Sequence, residues 1–208
     1  MQSFSQHGQD SFVYETFFKE RKTPGYYVDV GAYDGVTFSN SLFFERHLGW
    51  QGVCIEPLPS AFDLLKSNRT ALCINCAVAD HNGVAKFVDV DMPNFGKMYS
   101  GLQKNYDPRH VEILRKYAKS QRTIKVELRR LADILKETNK EVIDYLSIDI
   151  EGGELKVLKT LDLNACKIHV ISVENNYRDR DIARYLTGFG YRLIKIFAGF
   201  DDLYARDL

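Results

Sequence analysis

Short apolar runs alternate with amphipathic stretches along nearly the whole chain. The runs Tyr26–Ala32, Gly52–Glu56, Leu72–Ala79, Tyr145–Ile150, Val170–Glu174 and Arg192–Ala198 predict strands. Continuous apolar stretches such as Val170-Ile171-Ser172-Val173 suit parallel strands covered on both faces. Helical spacing falls between them, over Ser39–Leu48, Ser60–Asn68, Glu154–Leu161 and Asp179–Thr187. Ser39, Ser60 and Asp179 are expected as helix N-caps, with Gly188 and Gly190 stopping the last helix. This order predicts an α/β sheet with crossover helices, one domain over residues 1–208. Ahead of the first strand, Gln9–Arg21 carries Phe12, Tyr14, Phe17 and Phe18 and reads as an amphipathic helix. Residues 1–22 are thus expected to form a helical cover. Asp201–Leu208 is expected as a last strand beside Arg192–Ala198.

One stretch breaks the alternation. Between Asp91 and Asp107 lie Pro93, Gly96 and Gly101, with Phe95, Met98 and Tyr99 among them, and long loops in compact domains are often functional. Residues 91–130 are therefore expected to be a lid or substrate insertion. From Lys104 to Arg130 there are nine Lys or Arg against three Asp or Glu. This stretch is either a solvated helix face or an attraction for a phosphate-bearing substrate.

The whole chain nevertheless balances, with 28 basic and 28 acidic side chains. Its 45% apolar content is enough to offset chain entropy and excludes a disordered chain. No apolar run approaches the ~20 residues a membrane span needs, so no membrane partner is expected. The first residues lack the pattern of an export signal. Four cysteines are too few for a disulfide scaffold and suit a reducing compartment, so a cytoplasmic location is expected. Cys73 and Cys76 have no second ligand pair and read as core packing rather than a zinc site.

The strongest chemical signal is Val28-Asp29-Val30-Gly31-Ala32-Tyr33-Asp34-Gly35. An apolar strand ends in an acid and turns through glycines before a helix. It lacks the dinucleotide glycine fingerprint, and Asp29 stands where a pyrophosphate would be repelled. Gly31 is expected to let the backbone approach a ligand closely. Glu56, at the tip of the second strand, is placed to accept ribose hydroxyls, and Asp80, after the third, to reach an adenine amino group. Together they predict a nucleoside ligand with a positive or zwitterionic tail.

Five blocks resemble FkbM-type methyltransferases: Ser5-Gln6-His7-Gly8-Gln9-Asp10, the Val28–Gly35 turn, Ser39-Asn40-Ser41, Gly49-Trp50-Gln51-Gly52 with Ile55-Glu56-Pro57, and Ile148-Asp149-Ile150-Glu151-Gly152-Gly153-Glu154. His7 and Gln9 depart from the family pattern. The resemblance implies a Rossmann-like class I methyltransferase fold: a mostly parallel seven-stranded sheet, helices on both faces, and an antiparallel last strand. It also implies S-adenosylmethionine (SAM) as cofactor and O-methylation, often of sugar hydroxyls. Carried over, Asp29 and Gly31 line the methionine end and Glu56 the ribose. Gln6 and Asp10 sit near the cofactor entrance, and Tyr33 and Gly35 flank the pocket.

The fourth strand ends in Asp149-Ile150-Glu151 and the fifth in Glu174-Asn175-Asn176. Strand ends of a parallel sheet face the ligand, so these acids are expected to converge on the transferred methyl. Asp149, Glu174 and Asn175 resemble the magnesium site of catechol-type O-methyltransferases, a donor set for Mg or Mn. Without a metal, Asp149, Glu151 or Glu174 is the expected general base. His110 is a further candidate to approach substrate, whereas His169 and His47 read as structural. The expected function is O-methylation of a carbohydrate acceptor such as a deoxyhexose in a glycan. The rivals are an RNA methyltransferase and a non-catalytic module that binds SAM or a glycan.

Overall fold

The computed structural model describes residues 1–207. Seven strands form the main sheet: β1 (Tyr26–Val30), β2 (Gln51–Ile55), β3 (Leu72–Ile74), β8 (Val142–Ile148), β9 (Lys167–Glu174), β10 (Arg192–Phe197) and β11 (Asp201–Ala205). Their order is β10-β11-β9-β8-β1-β2-β3. The pairs β1–β2, β1–β8, β2–β3 and β8–β9 are parallel, and β11 runs antiparallel between β9 and β10. This is the expected class I architecture. The apolar runs overreach the ends of β1, β2, β8 and β10 by one or two residues and miss the first three residues of β8 and β9, and Leu208 lies outside the described residues.

Alternation along β1 explains why the sheet is covered twice. Tyr26, Val28 and Val30 pack into one core with α5 (Leu131–Thr138), α6 (Glu154–Leu158) and α7 (Arg180–Thr187). Tyr27 points the other way, into a second core with α2 (Leu42–Leu48) and the N-terminal helical turns. Side chains on a strand alternate faces, so an entirely buried strand feeds both layers.

The N-terminal cover is shorter than expected. An α-helix α1, Gln9–Val13, passes into a π-helical turn at Tyr14–Phe18. Its rings meet the second core edge-on or tilted, Phe18 on Trp50, Tyr14 on Phe43 and Phe12 on Phe197.

Two expectations are corrected. The run Leu72–Ala79 is two strands, because β3 ends at Ile74 and β4 (Ala77–Ala79) joins a different sheet. That second sheet, ordered β4-β7-β5-β6, also contains β5 (Gly83–Asp91), β6 (Gly101–Leu102) and β7 (Ser120–Arg130). The basic stretch is therefore partly the helix α4 (Pro108–Tyr117) and partly β7, antiparallel to β5 over its length. Of its nine basic residues, five are ion-paired: Lys104 with Asp80, Arg109 with Asp107, Arg122 with Asp89, Arg129 with Glu137 and Arg130 with Asp133. The local charge excess is mostly neutralised within the fold.

Ser60 does not cap its helix either. Pro59 opens α3 (Pro59–Asn68), and Leu58 precedes it. Asp179 does cap α7, accepting from Asp181 N–H at 2.8 Å. Ser39 acts two residues before the cap of α2, accepting from Leu42 N–H at 3.1 Å.

Candidate active site

A cavity of about 410 Å³ opens at the carboxyl ends of β1, β2, β8 and β9, beside the start of β11. Its size falls within the ~300–1,000 Å³ common for small-molecule sites. The main sheet supplies the floor. Phe95, Lys97, Met98, Tyr99, His110 and Ile113 close it from the inserted segment.

The β1 turn is shaped by the protein itself. Gly31 has φ +87°, and a Cβ there would lie 1.7 Å from the Asp149 carbonyl oxygen. The neighbouring strand tip therefore already requires a glycine here, and Gly31 also lines the cavity. Gly35, φ +80°, packs on Arg69 and Leu65 and does not line the cavity.

Arg69 organises this corner. Its fully buried guanidinium is 2.8 Å from Glu45 and donates to the Tyr27 hydroxyl at 2.8 Å, the Ser41 hydroxyl at 2.9 Å and the Gly35 carbonyl at 3.1 Å. Ser41 in turn donates to Asp29. Burial pushes the Asp29 carboxyl above its ordinary range, against the opposing pull of Arg69 and Ser41. Nothing in the sequence pattern marks Arg69, because its partners come from four separate segments.

Glu56 lines the cavity with both oxygens already accepting backbone N–H groups, Tyr33 at 3.0 Å and Leu58 at 2.7 Å. Each carboxylate oxygen keeps a lone pair for a further donor. Burial raises its carboxyl to about 7, opposed by those two N–H groups.

Asp149, Glu151 and Glu174 present carboxylate oxygens within 4.8 Å of one another. Asp149 N–H holds the β8 tip to the Val30 carbonyl at 2.9 Å. Desolvation in the recess and then the neighbouring carboxylates push Glu174 well above the ordinary range, and Asp149 in the same direction although its residue stays open to solvent. Glu151 adopts φ +58°, unusual for a residue with a side chain. Asn105 of the inserted segment donates to the Gly152 carbonyl at 3.0 Å and holds this turn. His110 Nδ1 lies 3.3 Å from Glu151, and Nε2 lies 3.3 Å from the Tyr99 carbonyl oxygen. The Tyr106 ring stacks on the imidazole at 4.2 Å.

Not every expected residue arrives. Gln6 and Tyr33 line the cavity. Asp10 does not; it is buried and ties the N-terminus together, accepting from Ser3, Ser5 and Phe4 N–H. Asp80 sits at the surface with His81 and Lys104. Asn175 turns away to donate to Asp202 at 2.7 Å, so the set that converges has Glu151 in its place. Asp201, which accepts from Gln9 at 2.7 Å, joins the acidic floor unannounced.

A SAM-like ligand fits these donors and acceptors. Asn40 lines the cavity, and its Oδ1 is buried without a hydrogen-bond partner while Nδ2 donates to Ser147. An unsatisfied acceptor in the same cavity as Asp29 matches an amino group.

The sequence model of the methyltransferase FkbM domain matches residues 29–193. The chain belongs to the FkbM methyltransferase family. The methyltransferase sdnD of Sordaria araneosa is 28% identical over 159 residues, covering 65% of this chain. The FkbM-family chain spans 60% of that relative's length. Among solved structures, a methyltransferase FkbM from Methylobacillus flagellatus has a TM-score of 0.55 at 15% identity, covering 93% of this chain and 47% of the other. TrmK of M. capricolum, solved with its natural cofactor product S-adenosyl-homocysteine, has a TM-score of 0.51 at 10% identity, covering 100% and 70%. Likeness at such identities concerns the fold. Among the described residues no helix is long and apolar enough to cross a membrane.

Proposed function

We propose that this FkbM-family chain is a SAM-dependent O-methyltransferase acting on a sugar hydroxyl of a glycan. The observation that carries the reading is one cavity lined both by Asp29 and Glu56 and by the clustered Asp149, Glu151 and Glu174. Asp29 and Asn40 would hold the amino group of SAM and Glu56 its ribose, and bound SAM supplies a methyl already activated on a sulfonium. The remaining work is alignment and removal of one proton.

A carboxylate of the trio accepts the proton of the acceptor hydroxyl. Crowded acids in a recess do not all ionise together, and a base whose pKa is raised toward neutrality works best near that pH. The inserted segment borders the trio through His110 on Glu151 and Asn105 on the Gly152 carbonyl. No step of this reading runs through a metal ion.

A nucleic-acid acceptor is the weaker reading, because affinity for phosphates rests on unneutralised cations and five of the nine in the basic stretch are paired internally. A silent binding module leaves the converged trio without a role. Calorimetry with SAM and S-adenosyl-homocysteine, followed by transfer from labelled SAM to a panel of glycans with NMR of the product linkage, tests the proposal. Saturable binding with label on a sugar oxygen is the expected outcome. Folded protein that binds neither compound, or that labels RNA in place of glycans, overturns it.

A further inference from the structure

We infer that the acceptor hydroxyl enters on a group without negative charge, so that a glycosyl-transfer reaction, which removes the nucleoside diphosphate, must supply this substrate. The inference rests on the sugar-methylation reading above and concerns the order of steps.

Six carboxyl groups line the cavity: Asp29, Glu56, Asp149, Glu151, Glu174 and Asp201. Facing them are one lysine and one histidine, and both are engaged. Lys97 Nζ is 2.6 Å from the buried Asp89, and His110 Nδ1 is 3.3 Å from Glu151. Arg109, at the edge of the adjoining groove, is paired with Asp107 at 2.8 Å.

Backbone donors are spent as well. A glycine turn at a strand tip is a common cradle for phosphate, through N–H groups that have no partner within the protein. Here Gly31 and Ala32 N–H donate to the Ile55 carbonyl at 2.9 and 3.0 Å, and Tyr33 N–H donates to Glu56 at 3.0 Å. These three N–H groups are closed to an anion.

The rim completes the picture. Phe38, Phe95, Ile113 and Phe200 line the cavity and are 41%, 38%, 37% and 37% exposed. A diphosphate is held by Arg or Lys forks or by free N–H groups, and this entrance presents apolar side chains instead. Even where crowded acids share protons, the free charge left in the cleft is negative, because its lysine and histidine are paired, and a cleft lined by one sign of charge concentrates the opposite sign and depletes its own. A nucleotide-activated sugar or a sugar phosphate meets that depletion; a sugar already transferred to a neutral glycan does not.

The test uses protein saturated with S-adenosyl-homocysteine, so that a nucleoside cannot enter the cofactor end. Binding of dTDP-rhamnose, rhamnose 1-phosphate and methyl α-rhamnoside is measured by saturation-transfer NMR. Labelled SAM is then supplied with dTDP-rhamnose and with a rhamnose-containing oligosaccharide. Wild type is expected to show no saturable binding of the two phosphorylated probes and no label on dTDP-rhamnose. Asp89→Asn releases Lys97, and Ile113→Lys adds a cation at the exposed rim without disturbing a buried pair. Either variant is expected to tighten rhamnose 1-phosphate by about tenfold or more. Saturable binding of dTDP-rhamnose by the loaded wild type, methyl transfer to it, or variants that leave the phosphate probes unaffected would overturn the inference. Failure of the sugar reading looks different: no glycan is labelled, while the variants still respond to phosphate.

Discussion

The carbonyl oxygen of Asp149 lies 1.7 Å from where a Cβ on Gly31 would stand. The tips of β1 and β8 are thus in backbone contact, tied by the Asp149 N–H to Val30 bond. The contact sets the spacing between the β1 turn and the acidic trio. Gly31→Ala adds a methyl against backbone at φ +87°, where no side chain can swing aside. It is expected to cost ~3 kcal/mol of stability and to abolish S-adenosyl-homocysteine binding. Chemical denaturation and calorimetry check this, and wild-type values in both would refute the spacing argument.

Arg69→Met is expected to destabilise the fold by ~3–5 kcal/mol, because Glu45 and the Ser41–Asp29 bond lose the cation that compensates their burial. Arg69→Lys should recover only part of that loss, since one ammonium cannot replace a guanidinium that reaches four groups. Melting temperatures of the two variants, with cofactor affinity measured alongside, test whether this corner holds Asp29 in place.

Stability should fall as pH rises through neutrality. Burial lifts Glu56 and Glu154 to about 7 from an ordinary 4.5. Between those values the folded protein keeps protons that the unfolded chain has released. Each group therefore destabilises progressively from pH ~4.5 to ~7, by ~3 kcal/mol at most. Asp107, pushed down to about 2 by Arg109, acts in the opposite sense at lower pH. Urea midpoints of ligand-free protein are expected to be higher at pH 5 than at pH 8, and Glu56→Gln should flatten that slope. A midpoint that rises toward pH 8 would contradict the burial of these carboxyls.

Glu174→Gln is expected to separate stability from activity. Glu174 is itself held well above the ordinary carboxylate range by burial and then by Asp149 and Glu151, so removing its charge should let ligand-free protein gain ~1 kcal/mol near pH 8. Methyl transfer should drop ~10²–10⁴-fold with cofactor affinity unchanged, because the proton acceptors are depleted while Asp29 and Glu56 are untouched. Equal losses in cofactor binding and transfer would place Glu174 at the wrong end of the cavity.

Much of the main sheet was legible. Apolar runs at β1, β2, β8 and β9 announced buried parallel strands, and acids at their ends marked the ligand side. The second sheet is legible in Thr123-Ile124-Lys125-Val126-Glu127-Leu128, which alternates with period two, although the dense positive charge around it masks the pattern. His110 was legible as a candidate to approach substrate but not as the partner of Glu151, and Asp201 carried no local signal, because both placements come from what faces them.

By its own order of residues this chain determined the alternation of strands and helices, the glycine bend after β1, and acids at consecutive strand tips, for these follow from local geometry and burial on one or two faces. Only the tertiary structure decided which acids meet, that Asp80 and Asn175 stay away, that Gly31 answers to Asp149, and that most of the basic stretch is neutralised. Convergence and charge pairing depend on distances between segments far apart in the chain, and those distances exist only once the sheets have packed.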